Sequence, residues 1–171
     1  PISGRADVTR FIKLQWKFYQ NDRNWVPPLL MDRKKLLDTK KNPFYRHSAM
    51  QLFIAQKDGE DVGRIAAIVN DNHNREHGDK VGFFGFFESI NNQDVADALF
   101  DAAATWLRGK GMDTMRGPAN PSVNDELAML VDGFDSPPVI LMSYNPRYYP
   151  LLVEGYGFRK AKDLYAYLLR N

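Results

Sequence analysis

The stretch VGFFGFFES, residues 81–89, sets the tightest limit on what this chain can fold into. Its apolar side chains fall on both alternating faces, so a strand here has to be covered from both sides. Four residues later the period changes. From Gln93 to Arg108, Val95, Ala98, Leu99, Ala102, Ala103, Trp106 and Leu107 recur at helical spacing. Asn92 can cap the start, and Gly109 and Gly111 end the run. A doubly covered strand leading into a long amphipathic helix predicts a layered α/β fold.

The remaining elements follow from the same rules. Asp7 can cap a helix running to about Gln20, with Val8, Phe11, Ile12, Gln15 and Trp16 near one face. The paired prolines of NWVPPLL interrupt it, and a short helix is expected over Met31–Leu37. AMQLFIAQK and VGRIAAIVN flank DGED, which predicts an antiparallel hairpin over 49–70, followed by a polar loop, DNHNREHGDK. A strand is expected over Thr114–Gly117, then a short helix through Leu130 capped by Ser122 or Asn124, with Asp125 and Glu126 complementing its dipole. After a short apolar run, Val139–Ser143, Pro146 can start a helix that Gly155 and Gly157 terminate; FRKAKDLYAYLL reads as a closing strand.

A length of 171 residues predicts a single domain, and Pro1 in place of Met fits excision from a longer chain. The net charge of only +2 offers little general attraction for nucleic acid or an anionic membrane. With no cysteine there is no disulfide framework or thiolate site, which permits the reducing cytoplasm, the expected location. The charged N-terminus reads as neither a signal peptide nor a membrane span. His47, His73 and His77 form no metal pattern, because no helix is expected to align the last two. Lys34, Lys35, Lys40 and Lys41 read as a solvated basic face, and Gly82 and Gly85 as sites of a bulge or close packing inside a strand.

The order of elements, the apolar strand leading to a long helix, and the ending NPRYYPLLVEGYGF resemble the GNAT acyltransferase superfamily. NWVPPL, GRIAAIVN, GFFGFFE, GPANPSVNDE, DGFDSPP and KDLYAY together resemble a group of bacterial tandem GNAT-like proteins, in which this region is the N-terminal half and a second GNAT-like domain follows. The resemblance implies an α/β (α+β) fold with a mixed, mainly antiparallel central sheet and helices on both faces. It also implies acetyl-CoA or a longer acyl-CoA as co-substrate, an amine acceptor and no metal. The acyl donor would sit in a V-shaped opening between splayed strands, its pyrophosphate on the N–H groups that begin the long helix. Two departures stand out. The corresponding loop, ESINNQDVAD, has no Gly, Lys or Arg and carries Glu88 and Asp94 at its ends. The family's usual acid tyrosine, five residues before the Phe of the Gly-Phe pair, is Val153 here.

Glu88 is therefore a candidate general base, if burial among phenylalanines raises its proton affinity; the alternative is an exposed strand end. Tyr144, Tyr148 and Tyr149 are candidates for the acid, or core residues with satisfied hydroxyls. Asn120, Asn124, Glu126 and Asn145 are candidate substrate-binding residues; loop closure is the competing explanation for the first three. Two functions remain open: an N-acyltransferase using an acyl thioester, and a non-catalytic domain that binds an acyl ligand or packs against a partner domain.

Overall fold

The computed structural model describes residues 1–121 and 125–167. Two helices come first, α1 (Arg5–Tyr19) and α2 (Leu30–Leu36). The hairpin β1 (Ser48–Lys57) and β2 (Glu60–Asn70) follows, turning through Asp58 and Gly59, both at positive φ, as a two-residue hairpin turn requires. Helix α3 (Asp71–His77) leads to β3 (Val81–Ser89), helix α4 (Gln93–Gly109), strand β4 (Thr114–Arg116) and helix α5 (Tyr149–Gly155). The sheet order is β1-β2-β3-β4, antiparallel except for the parallel β3–β4 pair. It is the mixed, mainly antiparallel sheet that the GNAT resemblance implies.

Each face of the sheet has its own core. Phe11, Ile12 and Leu37 meet Leu52, Ala66, Ile68 and Phe86 on the α1 side. On the other side Leu99, Phe100, Ala103 and Leu107 of α4 pack on Ile65, Ala67, Phe84 and Phe87, joined by Tyr149 and Leu152 of α5. The buried stripe of α4 includes Ala96 and Phe100 and leaves Ala98 exposed, a rotation from the expected face that brings Phe100 to stack on Phe87. Asn92 caps this helix by accepting the Val95 N–H at 3.1 Å.

Several expectations are corrected. The polar stretch after β2 is helical, because the Asn70 side chain accepts the His73 N–H and Gly78 closes the other end in the left-handed conformation. Residues 125–130 are not helical. Leu127 instead bridges Ala119, and the Asn120 N–H donates to the Glu126 carbonyl, so the segment folds back on the end of β4. The proposed caps Ser122 and Asn124 lie outside the described residues. Helix α5 starts at Tyr149 with Pro150 in its first turn; Pro146 lies in the preceding turn, where its carbonyl accepts the Tyr149 N–H. Residues 159–167 form no strand and are exposed, whereas Phe158 packs against Phe84 and Phe100; the end of the expected strand, 168–169, lies outside the described residues. Strand propensity alone, in a segment that pairs with no neighbour, does not make a strand.

Candidate active site

The site arises where β3 leaves its neighbour. The β3–β4 ladder runs only from Val81–Thr114 to Phe83–Arg116. Beyond it the Ala119 N–H still reaches the Phe84 carbonyl at 2.8 Å. At Phe86, by contrast, the backbone N–H is met by a side chain, Asn120 Oδ1, at 3.1 Å. Gly85 allows this approach, since a Cβ there would strike the Ala119 carbonyl and Asn120 Oδ1, the latter from 2.8 Å. Phe86 itself has φ 51°, and the β2–β3 register shifts between Arg64 and Ala66. A phenylalanine held there costs on the order of 1–3 kcal/mol, a strain that persists only where neighbours fix it.

Past this bulge no strand among the described residues lies beside β3 on that edge. The Ser89 N–H donates to the Tyr149 hydroxyl at 3.0 Å, and the Tyr148 hydroxyl donates to the Ser89 carbonyl at 2.7 Å. Two phenols from the start of α5 thus stand where backbone partners would be. Between Tyr149 and residues of the 118–120 and 126–145 stretches opens a cleft of about 110 Å³.

Glu88 lies at its base, 4% exposed. Its Oε2 accepts from the Tyr149 hydroxyl at 2.6 Å and the Tyr19 hydroxyl at 3.0 Å, while Arg64 Nη2 lies 3.4 Å from Oε1. Arg64 is equally buried, donates through Nη1 to the carbonyls of Phe11 and Ile12, and sits over the Phe11 ring. Burial raises the Glu88 pKa above the ordinary carboxylate value, against the opposing pull of Arg64 and the two phenols. The same burial, reinforced by the Glu88 charge, pushes Tyr149 and Tyr19 well above the usual phenol value. The exposed-strand-end alternative for Glu88 is thereby corrected.

The other candidates divide sharply. Tyr144 lines the cleft and donates to Asp22 at 2.7 Å; burial and this bond push its pKa up to about 12. Tyr148 is not among the cleft-lining residues, and burial followed by the charge of Glu88 takes it to about 12. Asn120 lines the cleft and donates to Glu126 Oε2 at 2.8 Å, while Glu126 Oε1 is clamped by Arg33. Asn145 also lines it, with its side chain engaged by Leu130 N–H and C=O and by the Pro146 carbonyl. Arg64, Arg33, Tyr19 and Trp25 are cleft or network residues that the sequence reading did not single out. For Arg64 a signal existed: one guanidinium inside an otherwise apolar strand needs a buried counter-charge.

The start of α4 is less open to an anion than the resemblance implies. Asn92 already occupies the Val95 N–H, and Asp94 sits exposed in the first turn. Glu88, however, belongs to the buried network and not to this loop surface. His73 and His77 do stack within α3, with ring centroids 4.4 Å apart, yet no group of three acidic, His or Cys side chains suited to a metal occurs among the described residues.

Three antiparallel strands, a bulged third strand parting from a parallel fourth, and a long helix between them match the architecture the resemblance implies. The fold is GNAT-like. No family model matches the sequence. The GNAT-like chain is 41% identical over 168 residues to the bacterial ceramide synthase of Caulobacter vibrioides (strain NA1000 / CB15N), covering 98% of this chain and 44% of that protein. It is 35% identical over 167 residues to Protein YghO of Escherichia coli (strain K12), covering 98% of this chain and 43% of that protein. The chain thus spans less than half the length of these curated relatives. A crystal structure of a probable acetyltransferase aligns with a TM-score of 0.48 at 14% identity, over 97% of this chain and 91% of that one.

Proposed function

We propose that this chain is the GNAT-like unit of an N-acyltransferase that moves an acyl group from acyl-CoA or another acyl thioester to an amine. The observation that carries the reading is Glu88, a carboxylate whose proton affinity is raised by burial, lining a cleft in hydrogen-bond contact with Tyr149. The amine nitrogen attacks the thioester carbonyl; the C–N bond forms, the C–S bond breaks, and Glu88 takes the proton the nitrogen sheds. Tyr149 completes the balance, donating its proton to the leaving thiolate while receiving one from Glu88. That relay suits a phenol too weakly acidic to remain ionised. Tyr144 and the Asn120–Glu126–Arg33 group border the cleft and are assigned to binding the acceptor. Asn124 stays a candidate of the same kind.

The relative's name makes a long-chain amino alcohol the first acceptor to try, because a ceramide is the N-acyl derivative of such a base. The anionic end of the donor is assigned to a second GNAT-like domain or to a carrier, since Asn92 and Asp94 compete for the start of α4. In the test, purified full-length protein receives a sphingoid base with short- and long-chain acyl-CoA, and N-acyl product and released thiol are measured. Formation of both in equal amounts, lost in Glu88→Gln, is expected. A folded protein that forms neither product with any donor length or with an acyl carrier protein would contradict the reading. It would favour the second one, a non-catalytic acyl-binding or packing domain, for which the full hydrogen-bonding of Glu88 speaks.

A further inference from the structure

The mouth of the cleft is rimmed by apolar side chains that nothing covers among the described residues. Leu29, Leu30 and Met31 project from one bank and Val139, Ile140 and Leu141 from the other, Ile140 being 89% exposed. Pro28, next to the first group, and Pro138 and Met142, on either side of the second, line the cleft itself, so the chain carries both exposed groups directly away from its mouth. Single exposed apolar residues are ordinary; two exposed apolar groups flanking one mouth, a collar in two halves, mark an interaction surface.

Charge decides what kind. Leu30 and Lys34, and Met31 and Lys35, are each four apart on α2, which puts hydrocarbon and ammonium groups on one face. Lys41 joins them around a shallow depression. Two carboxylates lie among them, Asp32 3.7 Å from Lys35 and Asp38 accepting the backbone N–H groups of Lys40 and Lys41, so Lys34, Lys35, Lys40 and Lys41 leave the patch with an excess of positive charge. Apolar tips backed by long cationic side chains match the boundary of an anionic bilayer, where the tips enter the hydrocarbon and the lysines reach the phosphates. Size points the same way. The cleft of about 110 Å³ is smaller than the cavity of about 150 Å³ that admits benzene. It has room for reacting groups, and a long alkyl chain has to remain outside, across the collar. No helix among the described residues is long and apolar enough to cross a membrane, so any attachment by helix here lies at the surface.

We propose that the collar docks the protein on an anionic membrane, presenting the cleft mouth to substrates whose alkyl chains stay in the bilayer. The use made of that docking rests on the acyl-transfer reading; the docking itself is tested without turnover. Full-length protein is sedimented with vesicles of phosphatidylcholine, with or without phosphatidylglycerol. Binding to the anionic vesicles that weakens with salt is expected. Lys34→Gln/Lys35→Gln should lower partitioning roughly 25-fold, about a factor of five for each positive charge removed from an anionic surface. Ile140→Asp/Leu141→Asp, at positions too exposed to disturb the core, should abolish the binding that survives high salt. No sedimentation with either vesicle, as when another domain covers the collar, or binding that all variants retain, would overturn the proposal. A short-chain thioester and a water-soluble amine, assayed without lipid, separate the two claims. Product without vesicle binding refutes the docking alone, and vesicle binding without product refutes acyl transfer alone.

Discussion

Two Glu–Arg pairs border the same cleft and differ in how much water reaches them. Glu88 and Arg64 have side chains only 5% and 4% exposed, whereas Glu126 and Arg33 are 36% and 14% exposed. The first pair is held by four elements: β3 supplies Glu88, β2 Arg64, α1 Tyr19 and α5 Tyr149. The second ties α2 to the irregular segment after β4. In the buried pair, desolvation outweighs the attraction and raises the carboxyl pKa. At the rim, solvent screens the same chemistry, leaving a contact that can rearrange around a ligand. On the proposed reading, burial is what separates a pair that handles a proton from one that positions a substrate.

The largest effect that would sharpen this contrast is on rate. Glu88→Gln keeps the shape of the buried group and removes its basicity. Acyl transfer followed by thiol release should fall roughly 10²–10⁴-fold, the range for losing a positioned base, with the far-ultraviolet circular dichroism unchanged. Glu126→Gln should leave kcat near the wild-type value and act on the acceptor KM. If both variants lose kcat alike, the distinction between the pairs fails.

Stability comes next. Arg64→Ala leaves a carboxylate buried without its counter-charge and should cost about 3–5 kcal/mol in urea unfolding. Replacing both partners, Arg64→Met with Glu88→Met, should recover most of that loss, because desolvation disappears with the charges. The corresponding deletion at the rim, Arg33→Ala, should cost about 1 kcal/mol or less.

Neither pair was fully legible in the sequence, and the reasons are physical. The long helix α4 and the hairpin announce themselves through period and turn chemistry, which are local. Glu88 could be singled out as a carboxylate beside a run of phenylalanines, and Arg64 as a charge in an apolar strand. That they oppose one another depends on the β2–β3 register, and the bulge at Phe86 shifts that register. The Asn120 side chain, reaching across from the 119–120 segment, helps hold the bulge, and no local signal encodes that contact. Helix α3 carried its caps in Asn70 and Gly78 but no apolar stripe, so composition pointed to a loop. The closing segment failed in the opposite sense: its alternation looked like a strand, yet residues 159–167 stay exposed and pair with no strand.

A smaller effect concerns the phenols. Tyr149→Phe removes a hydrogen bond to a buried carboxylate and should cost about 1.5–3 kcal/mol. Because that bond holds the Glu88 pKa down against desolvation, its loss should also move the acidic limb of the rate profile to higher pH, on a plateau lowered by loss of the proton donor to the thiolate. Tyr148→Phe, whose hydroxyl serves a backbone carbonyl, should leave that limb nearly in place.

The smallest effect is the pH dependence of stability. With its pKa raised by folding, Glu88 keeps a proton in the folded protein that the unfolded chain has already released. Its contribution is complete below the unfolded value and is lost as pH rises through the folded one. The urea midpoint of the wild type relative to Glu88→Gln should therefore fall as pH rises from the ordinary glutamate value of about 4.3. A difference that grows with pH instead would mean that Arg64 prevails over burial.

The most direct test is the titration of Glu88 itself, followed by its carboxyl carbon resonance in protein labelled at glutamate and assigned by comparison with Glu88→Gln. The account predicts a midpoint clearly above the ordinary glutamate value, moving higher still in Tyr149→Phe. A midpoint at or below that value would show a permanently ionised structural ion pair, and would contradict the assignment of Glu88 as the proton acceptor of this cleft.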